Sequence, residues 1–383
     1  MKRSVIFIFL LCAGFSALAQ KSRVLSVMQM IDSKKYSEAK EAIELALEND
    51  RTAQWHRTFY AKGLLCQVAY EEGKAKDDDK LTGLYEDQLY VAYDAYERAL
   101  ELDAREKIHT NIAKQYYSLS NDFRQLGKKH YQKKEYPQAF RAFEHALLLS
   151  KSTLLNVPID TSLVYNTALA AYESKNWEKA IGYLTGLHDD AFNPDASLFL
   201  MQAYLQHGDT LQAETTMMEG VENFGYADTV VMYVVNWFAT TERMAESIEI
   251  LDAALARHPD NFRYHWALGL VHNEMNHHQE AINSLTKAIE LAHDVPPELF
   301  YQLGVCYYNI GIGLREEALQ IRENDAYMEI RNQYLDQFRE AVKWLERSYA
   351  LDPGNENIIS KLSQLYYQLQ MKENQETFEQ LMQ

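Results

Sequence analysis

Small residues recur at a fixed distance through the middle of the chain: Ala180, Ala213, Ser247 and Ala281, with spacings of 33, 34 and 34 residues. A bulky residue follows each by four, as Leu285 follows Ala281, and Ala288 lies three beyond that. Ahead of Ala281 stands His265-x-x-Leu268-Gly269-x-x-His272, then a polar stretch from Asn276 to Gln279. The apolar residues keep helical spacing on both sides of that stretch, so the unit reads as two short amphipathic helices closed by a tight connection. Helices of this length do not hold themselves together in water, and their apolar stripes need neighbours. The period predicts that the neighbours are copies of the same hairpin.

The same pattern extends in both directions. Val24, Val27 and Ile31 followed by Tyr36, Ala39, Ile43 and Ala46 give a first hairpin. Phe59 and Gly63 belong to a second, whose other helix carries Ala92, Tyr96 and Ala99 after an insertion near 74–82 that includes Asp77, Asp78 and Asp79. A third reads Phe123-x-x-Leu126-Gly127-x-x-His130, then Tyr136, Ala139 and Phe143, and its first helix starts early, near Lys107. Residues 151–160, with Pro158, interrupt the periodicity and predict a bend between hairpins at 20–150 and regular ones at 161–295. In 296–354, Phe300-x-x-Leu303-Gly304-x-x-Tyr307 and Ala341-x-x-x-Leu345 flank an insertion at 310–338 with helical patterning on both arms. Residues 355–383 end the chain in polar helices suited to a cap.

These residues resemble the tetratricopeptide repeat family from Gln20 to Gln383, with the Leu-Gly pair at 126–127, 268–269 and 303–304, and the layout is similar to secreted members from diderm bacteria. The resemblance implies an all-α, right-handed solenoid of about eight hairpins plus a C-terminal capping helix pair. It further implies a non-catalytic scaffold whose first helices line a groove for a peptide or partner helix. On the reference helix, His265, Leu268 and His272 take the packing stripe, which leaves Trp266 and Asn273 on the adjacent face. Equivalent positions nominate Tyr131, Tyr165, Tyr172, Gln202, Asn236, Tyr301 and Tyr308 as the rest of the partner-binding groove. Tyr, Trp, Asn and Gln combine contact area with hydrogen bonding, as protein recognition requires.

At the N-terminus Lys2 and Arg3 precede an apolar run from Val5 to Phe15 and Ala17-Leu18-Ala19, a secretory signal with cleavage expected between Ala19 and Gln20. The apolar run is shorter than the roughly 20 residues a spanning helix needs, so the expected product is exported, periplasmic and without a transmembrane segment. Of 38 basic residues two lie in that signal, which leaves 36 against 55 acidic ones, a net charge of −19. Such a field repels nucleic acid.

Cys66 and Cys306 lie in hairpins far apart along the array and are read as buried apolar side chains. His265, His272, His277 and His278 do not have the i, i+4 spacing of a zinc helix, so no metal or cofactor is expected. No phosphate loop, nucleophile elbow or paired acid and base stands out, and no enzyme is expected. A scaffold in envelope polysaccharide synthesis or export is the alternative reading, and the 310–338 arms are a second place where a partner is expected to dock.

Overall fold

The computed structural model describes residues 21–381. Among them there are nineteen helices and no strand. They follow as α1 (21–32), α2 (Tyr36–Glu48), α3 (His56–Lys76), α4 (Asp79–Thr82), α5 (Gln88–Leu102), α6 (His109–Gln132), α7 (Tyr136–Ser150), α8 (Thr161–Glu173) and α9 (Trp177–Asp189). Then come α10 (Pro194–His207), α11 (Thr210–Asn223), α12 (Asp228–Thr240), α13 (Met244–Arg257), α14 (Phe262–Glu274), α15 (His278–Leu291), α16 (Pro297–Ala318), α17 (Asn324–Leu351), α18 (Glu356–Gln368) and α19 (Lys372–Leu381). This is the expected all-α chain of eight successive helical hairpins followed by a closing helix pair. Two units divide the described residues, one formed by 21–192 with 199–213 and the other by 193–198 with 214–381.

The first unit holds together because the periodic residues meet. Val24, Val27 and Ile31 of α1 pack with Tyr36, Ala39 and Ile43 of α2 and with Ala61 and Leu65 of α3. A second cluster joins Tyr96 and Ala99 of α5, Ile112, Tyr116 and Phe123 of α6, and Ala139, Phe143 and Ala146 of α7. In the second unit Ala281 and Leu285 of α15 pack with Leu303 and Cys306 of α16. Phe338 and Leu345 of α17 pack with Ile358 and Leu362 of α18. The small residues that open the second helices are buried without exception: Ala39, Ala92, Ala139, Ala180, Ala213, Ser247, Ala281 and Ala341 are all 0% exposed.

The Leu-Gly pair has a steric cause. A Cβ on Gly269 would lie 2.6 Å from Leu285 Cγ, and one on Gly304 would lie 2.7 Å from Leu345 Cγ. A Cβ on Gly127 would meet the Phe143 ring at 2.7 Å. In these three hairpins the first helix therefore gives up a side chain so that the bulky residue four beyond the small one can lie against its backbone.

Six of the connections within hairpins share one geometry. Lys34, Lys134, Lys175, Gly208, Glu242 and Asn276 all have positive φ, between 59° and 93°. Each lies five residues before the buried small residue. The amide after it donates back across the turn, as Lys35 N–H to Met30 O at 2.8 Å, Glu135 to His130 at 2.9 Å, Asn176 to Ala171 at 2.9 Å, Arg243 to Phe238 at 2.8 Å and His277 to His272 at 2.9 Å. This is a Schellman closure, and its left-handed residue is glycine at only one of the six positions.

Insertions lengthen two hairpins. At 74–82 the chain extends α3, turns through Asp77 at φ 56°, and forms the short α4, which Asp78 caps by accepting from Lys80 N–H. At 310–338 α16 and α17 lengthen to 22 and 28 residues. Phe338 is fully buried between these arms and flanked by Tyr308 and Tyr334 at ring distances of 5.9 and 5.7 Å.

One expectation about α14 is corrected. Its packing stripe is Tyr264, Ala267, Leu268 and Val271, while His265 and His272 are half-buried. Tyr264 has far more apolar surface to bury than His265, and its hydroxyl finds Tyr226 O at 2.6 Å, so the helix turns that edge inward. His265 instead meets Pro259 O at 2.9 Å. The signal read at 1–19 lies outside the described residues.

Candidate functional site

In the first unit α6 and α8 are the first helices of consecutive hairpins, and their neighbouring faces enclose a pocket of about 450 Å³. Arg124, Lys128 and Tyr131 come from α6, and Ser162, Asn166 and Leu169 from α8, with Phe143 and Leu163 beneath. A second pocket of about 570 Å³ runs along the earlier turns of α6, bounded by Tyr117, Ser118 and Asn121 and by Leu155, Val157 and Pro158 of the 151–160 segment. Both pockets include Arg124 and Asp160, so they adjoin at that pair. Volumes of this size suit a side chain or a short stretch of polypeptide.

Local sequence explains how the site is positioned. Asp160 caps α8 by accepting from Ser162 N–H at 2.9 Å and Leu163 N–H at 3.3 Å, and it also accepts from the Arg124 guanidinium. That guanidinium holds its carboxyl below the usual carboxylate range. One residue thus starts α8 and ties it to α6. Tyr131 is half-buried, its ring edge-on to Tyr136 at 5.3 Å, and burial pushes its phenol up. Tyr117 is 71% exposed and Val157 42%, a large apolar surface for one edge of a groove.

The remaining nominated residues have other neighbours. Tyr165 packs on Phe192 at 5.6 Å. Tyr172 donates its hydroxyl to Gln202 Oε1 at 2.8 Å and packs edge-on to Trp177 and Phe199, so these two nominated side chains meet each other. In the second unit Asn236 is exposed on α12. Trp266 is half-buried against the cluster of Ala281, Ile282, Leu285, Leu303 and Cys306, with its Nε1 enclosed and unpaired. Asn273 Oδ1 accepts from Cys306 Sγ at 3.3 Å and Asn309 Nδ2 at 3.4 Å and lies 3.0 Å from His278 Nδ1, so it fastens α14 to α15 and α16. Tyr301 and Tyr308 lean on the α17 and α18 core. Lys361 of α18 reaches over the Tyr308 ring at 4.2 Å, its ammonium pushed down by burial.

Of the nominated residues only Tyr131 lines these pockets; among the lining residues not nominated from sequence are Tyr117, Val157, Pro158 and Asp160. The interruption of periodicity at 151–160 pointed toward the last three of these, and nothing in the spacing singled out Tyr117. Cys66 and Cys306 are free and buried, and burial pushes both thiols up to about 12. Among the described residues no three His, Cys, Asp or Glu side chains gather as a metal site, and no helix is long and apolar enough to cross a membrane.

Successive helical hairpins, six of them closed by one recurring turn, define a helical-repeat protein. Residues 239–296, from the end of α12 through α15, match the tetratricopeptide repeat model. Over those residues the chain carries tetratricopeptide repeats, units that in general serve in protein-interaction scaffolds. No curated protein matches it. Similar solved structures include a tetratricopeptide repeats protein from Bacteroides fragilis NCTC 9343, 18% identical over 65% of this chain and 98% of that one, with a TM-score of 0.34. The MamA protein from Desulfovibrio magneticus RS-1 is 16% identical over 49% and 96%, TM-score 0.32. IFIT1 solved with m7Gppp-AAAA is 16% identical over 84% and 68%, TM-score 0.38. None of these three alignments bears on function.

Proposed function

We propose that the chain is a non-catalytic scaffold of the bacterial cell envelope that holds a peptide or partner helix against the faces of its first helices. The observation that carries this reading is the pair of adjoining pockets along α6, one of them continuing onto α8. Tyr131, an aromatic with a polar tip, faces one of them, and Tyr117 faces the other. Aromatic side chains of this kind provide contact area at low entropic cost. Tyr165, Asn236, Trp266, Tyr301 and Tyr308 belong to the same class of face in this proposal. Tyr172, Gln202 and Asn273 act differently, by fixing the helices that present it.

Export rests on the charged head, apolar run and Ala17-Leu18-Ala19 of the N-terminus. N-terminal sequencing of the protein recovered from the periplasm tests it, and a chain starting at Gln20 is the expected result. For the groove, a photo-reactive amino acid at position 131 is expected to cross-link a protein partner in the producing cell. The same probe at Leu148, 48% exposed on α7, is expected not to. Equal cross-linking at both positions overturns the groove reading.

A further inference from the structure

Apart from the pockets along α6, the first unit has a smaller one of about 210 Å³ where α1 and α3 meet the start of α6. Its apolar wall is Val24, Leu25 and Met28 of α1, Ala61 of α3 and Ile108. Leu25 is 46% exposed there. The charged residues of the pocket are Arg57 and Lys107, both cations, and no carboxylate lines it. Among the described residues neither cation has a carboxylate within ion-pair distance. Asp103 is committed elsewhere, since it is buried, accepts from Ile108 N–H at 2.8 Å and lies 4.0 Å from His56 Nε2. Two further observations place positive charge at this spot. Lys21 and Arg57 both reach over the Trp55 ring, at 5.3 and 5.9 Å from its centroid. The His56 imidazole is pushed down first by burial and then, against Asp103, by Arg57, Lys107 and Lys21. Cations from three segments thus act on one ring, in a chain of net charge −17.

From this geometry we infer that the pocket binds a small carboxylic acid with a short apolar tail. The carboxylate lies between Arg57 and Lys107, with the Tyr60 hydroxyl and the Asn111 amide as further donors, and the tail lies on Leu25, Met28 and Ala61. A guanidinium pairs a carboxylate through two parallel hydrogen bonds, which fixes the orientation of the acid. An inorganic anion would leave the apolar wall in water, and a neutral apolar molecule would leave both cations without a partner. A molecule with both ends meets the whole lining. A volume of about 210 Å³ is less than the roughly 300 Å³ at which sites for drug-sized molecules begin, so the tail is limited to a few carbons. This site is separate from the groove along α6 and does not depend on that reading.

The test is isothermal titration calorimetry of the full exported chain with sodium hexanoate at low salt, beside hexanamide, acetate and inorganic phosphate. Hexanoate is expected to bind about tenfold more tightly than each of the other three, and to lose that advantage over hexanamide at high salt, because exposed charges are screened. Arg57→Gln and Lys107→Gln are each expected to weaken hexanoate about fivefold and to leave hexanamide unchanged. Both residues are exposed, so the circular dichroism of the variants stays that of the parent. Equal binding of hexanoate and hexanamide overturns the carboxylate assignment, and acetate or phosphate binding as tightly as hexanoate overturns the assignment of the tail. Failure of hexanoate to bind overturns the proposal. So does a short peptide with a free C-terminal Leu that binds where hexanoate does not and is lost in Arg57→Gln, which would give the pocket to a protein terminus. None of these outcomes alters the cross-linking expected at position 131.

Discussion

Gly269 on α14 lies against Leu285 on α15 so closely that a methyl group on the glycine would stand 2.6 Å from Leu285 Cγ. The backbone of one helix and the side chain of the other occupy adjacent space. Gly269→Ala is therefore expected to destabilise the chain by about 1–3 kcal/mol, the usual range for overpacking. Pairing it with Leu285→Ala should give a loss smaller than the sum of the two single changes, because the clash is then absent. Denaturant midpoints of the three variants check this, and simple additivity contradicts it.

The turns make the opposite prediction. Glu242 holds φ at 62° between α12 and α13 where its equivalent in the preceding hairpin is Gly208. A left-handed residue with a side chain costs roughly 1–2 kcal/mol, part of which glycine returns to the flexibility of the unfolded chain. Glu242→Gly should stabilise by about 0.5–1 kcal/mol. A lowered melting temperature would show that the Glu242 side chain holds the turn in a way its geometry does not reveal.

Asp122 on α6 has its carboxyl pushed up to about 7, first by burial and then by Glu71 of α3, with Lys74 at 3.9 Å offsetting only part. In the unfolded chain it titrates near its ordinary value of about 4. The folded value is the higher, so the protonated form favours folding. That contribution is complete below about pH 4, declines as pH rises toward 7, and is lost above it. Asp122→Asn is expected to raise stability at pH 8 and to flatten the stability profile between pH 4 and 7, followed by urea titration at each pH. A profile unchanged in shape would contradict the buried carboxyl pair.

Asn273 is assigned here to structure. Replacing it with Ala strips the acceptor from Cys306 and Asn309 and removes the contact to His278, and is expected to cost about 1–3 kcal/mol, the penalty of buried donors left unpaired. Tyr172→Phe, which deletes the bond to Gln202, should cost about 1 kcal/mol. If thermal melts of both match the parent, these side chains are free for a partner instead.

How much of this could be read beforehand differs by feature. The register of Ala180, Ala213, Ser247 and Ala281 located the hairpins, because a helix contact that excludes a side chain admits few residue types. The lengthened α6 and the α16–α17 arms were legible for the same reason: apolar spacing continues through both. The turns were only partly so. Gly208 and Asn276 announce a left-handed residue, whereas Lys34, Lys134, Lys175 and Glu242 adopt it because the Schellman bond and packing on either side impose it. Tyr264 displaced His265 from the core of α14 through a hydroxyl partner 38 residues away that helical spacing does not encode. The pocket edge formed by Val157 and Pro158 was hidden for a related reason, since an aperiodic segment carries no record of the helix it lies against. Helical spacing likewise put Tyr172 and Gln202 on one face without indicating that they bond to each other.

Hydrogen exchange on the exported chain, with and without the segment recovered by cross-linking at position 131, is the most direct measurement. The account predicts slowed exchange over 117–132 of α6 and over α8, with the outward α7 unchanged. Slowing confined to other helices, with α6 and α8 exchanging as in the free chain, would contradict it.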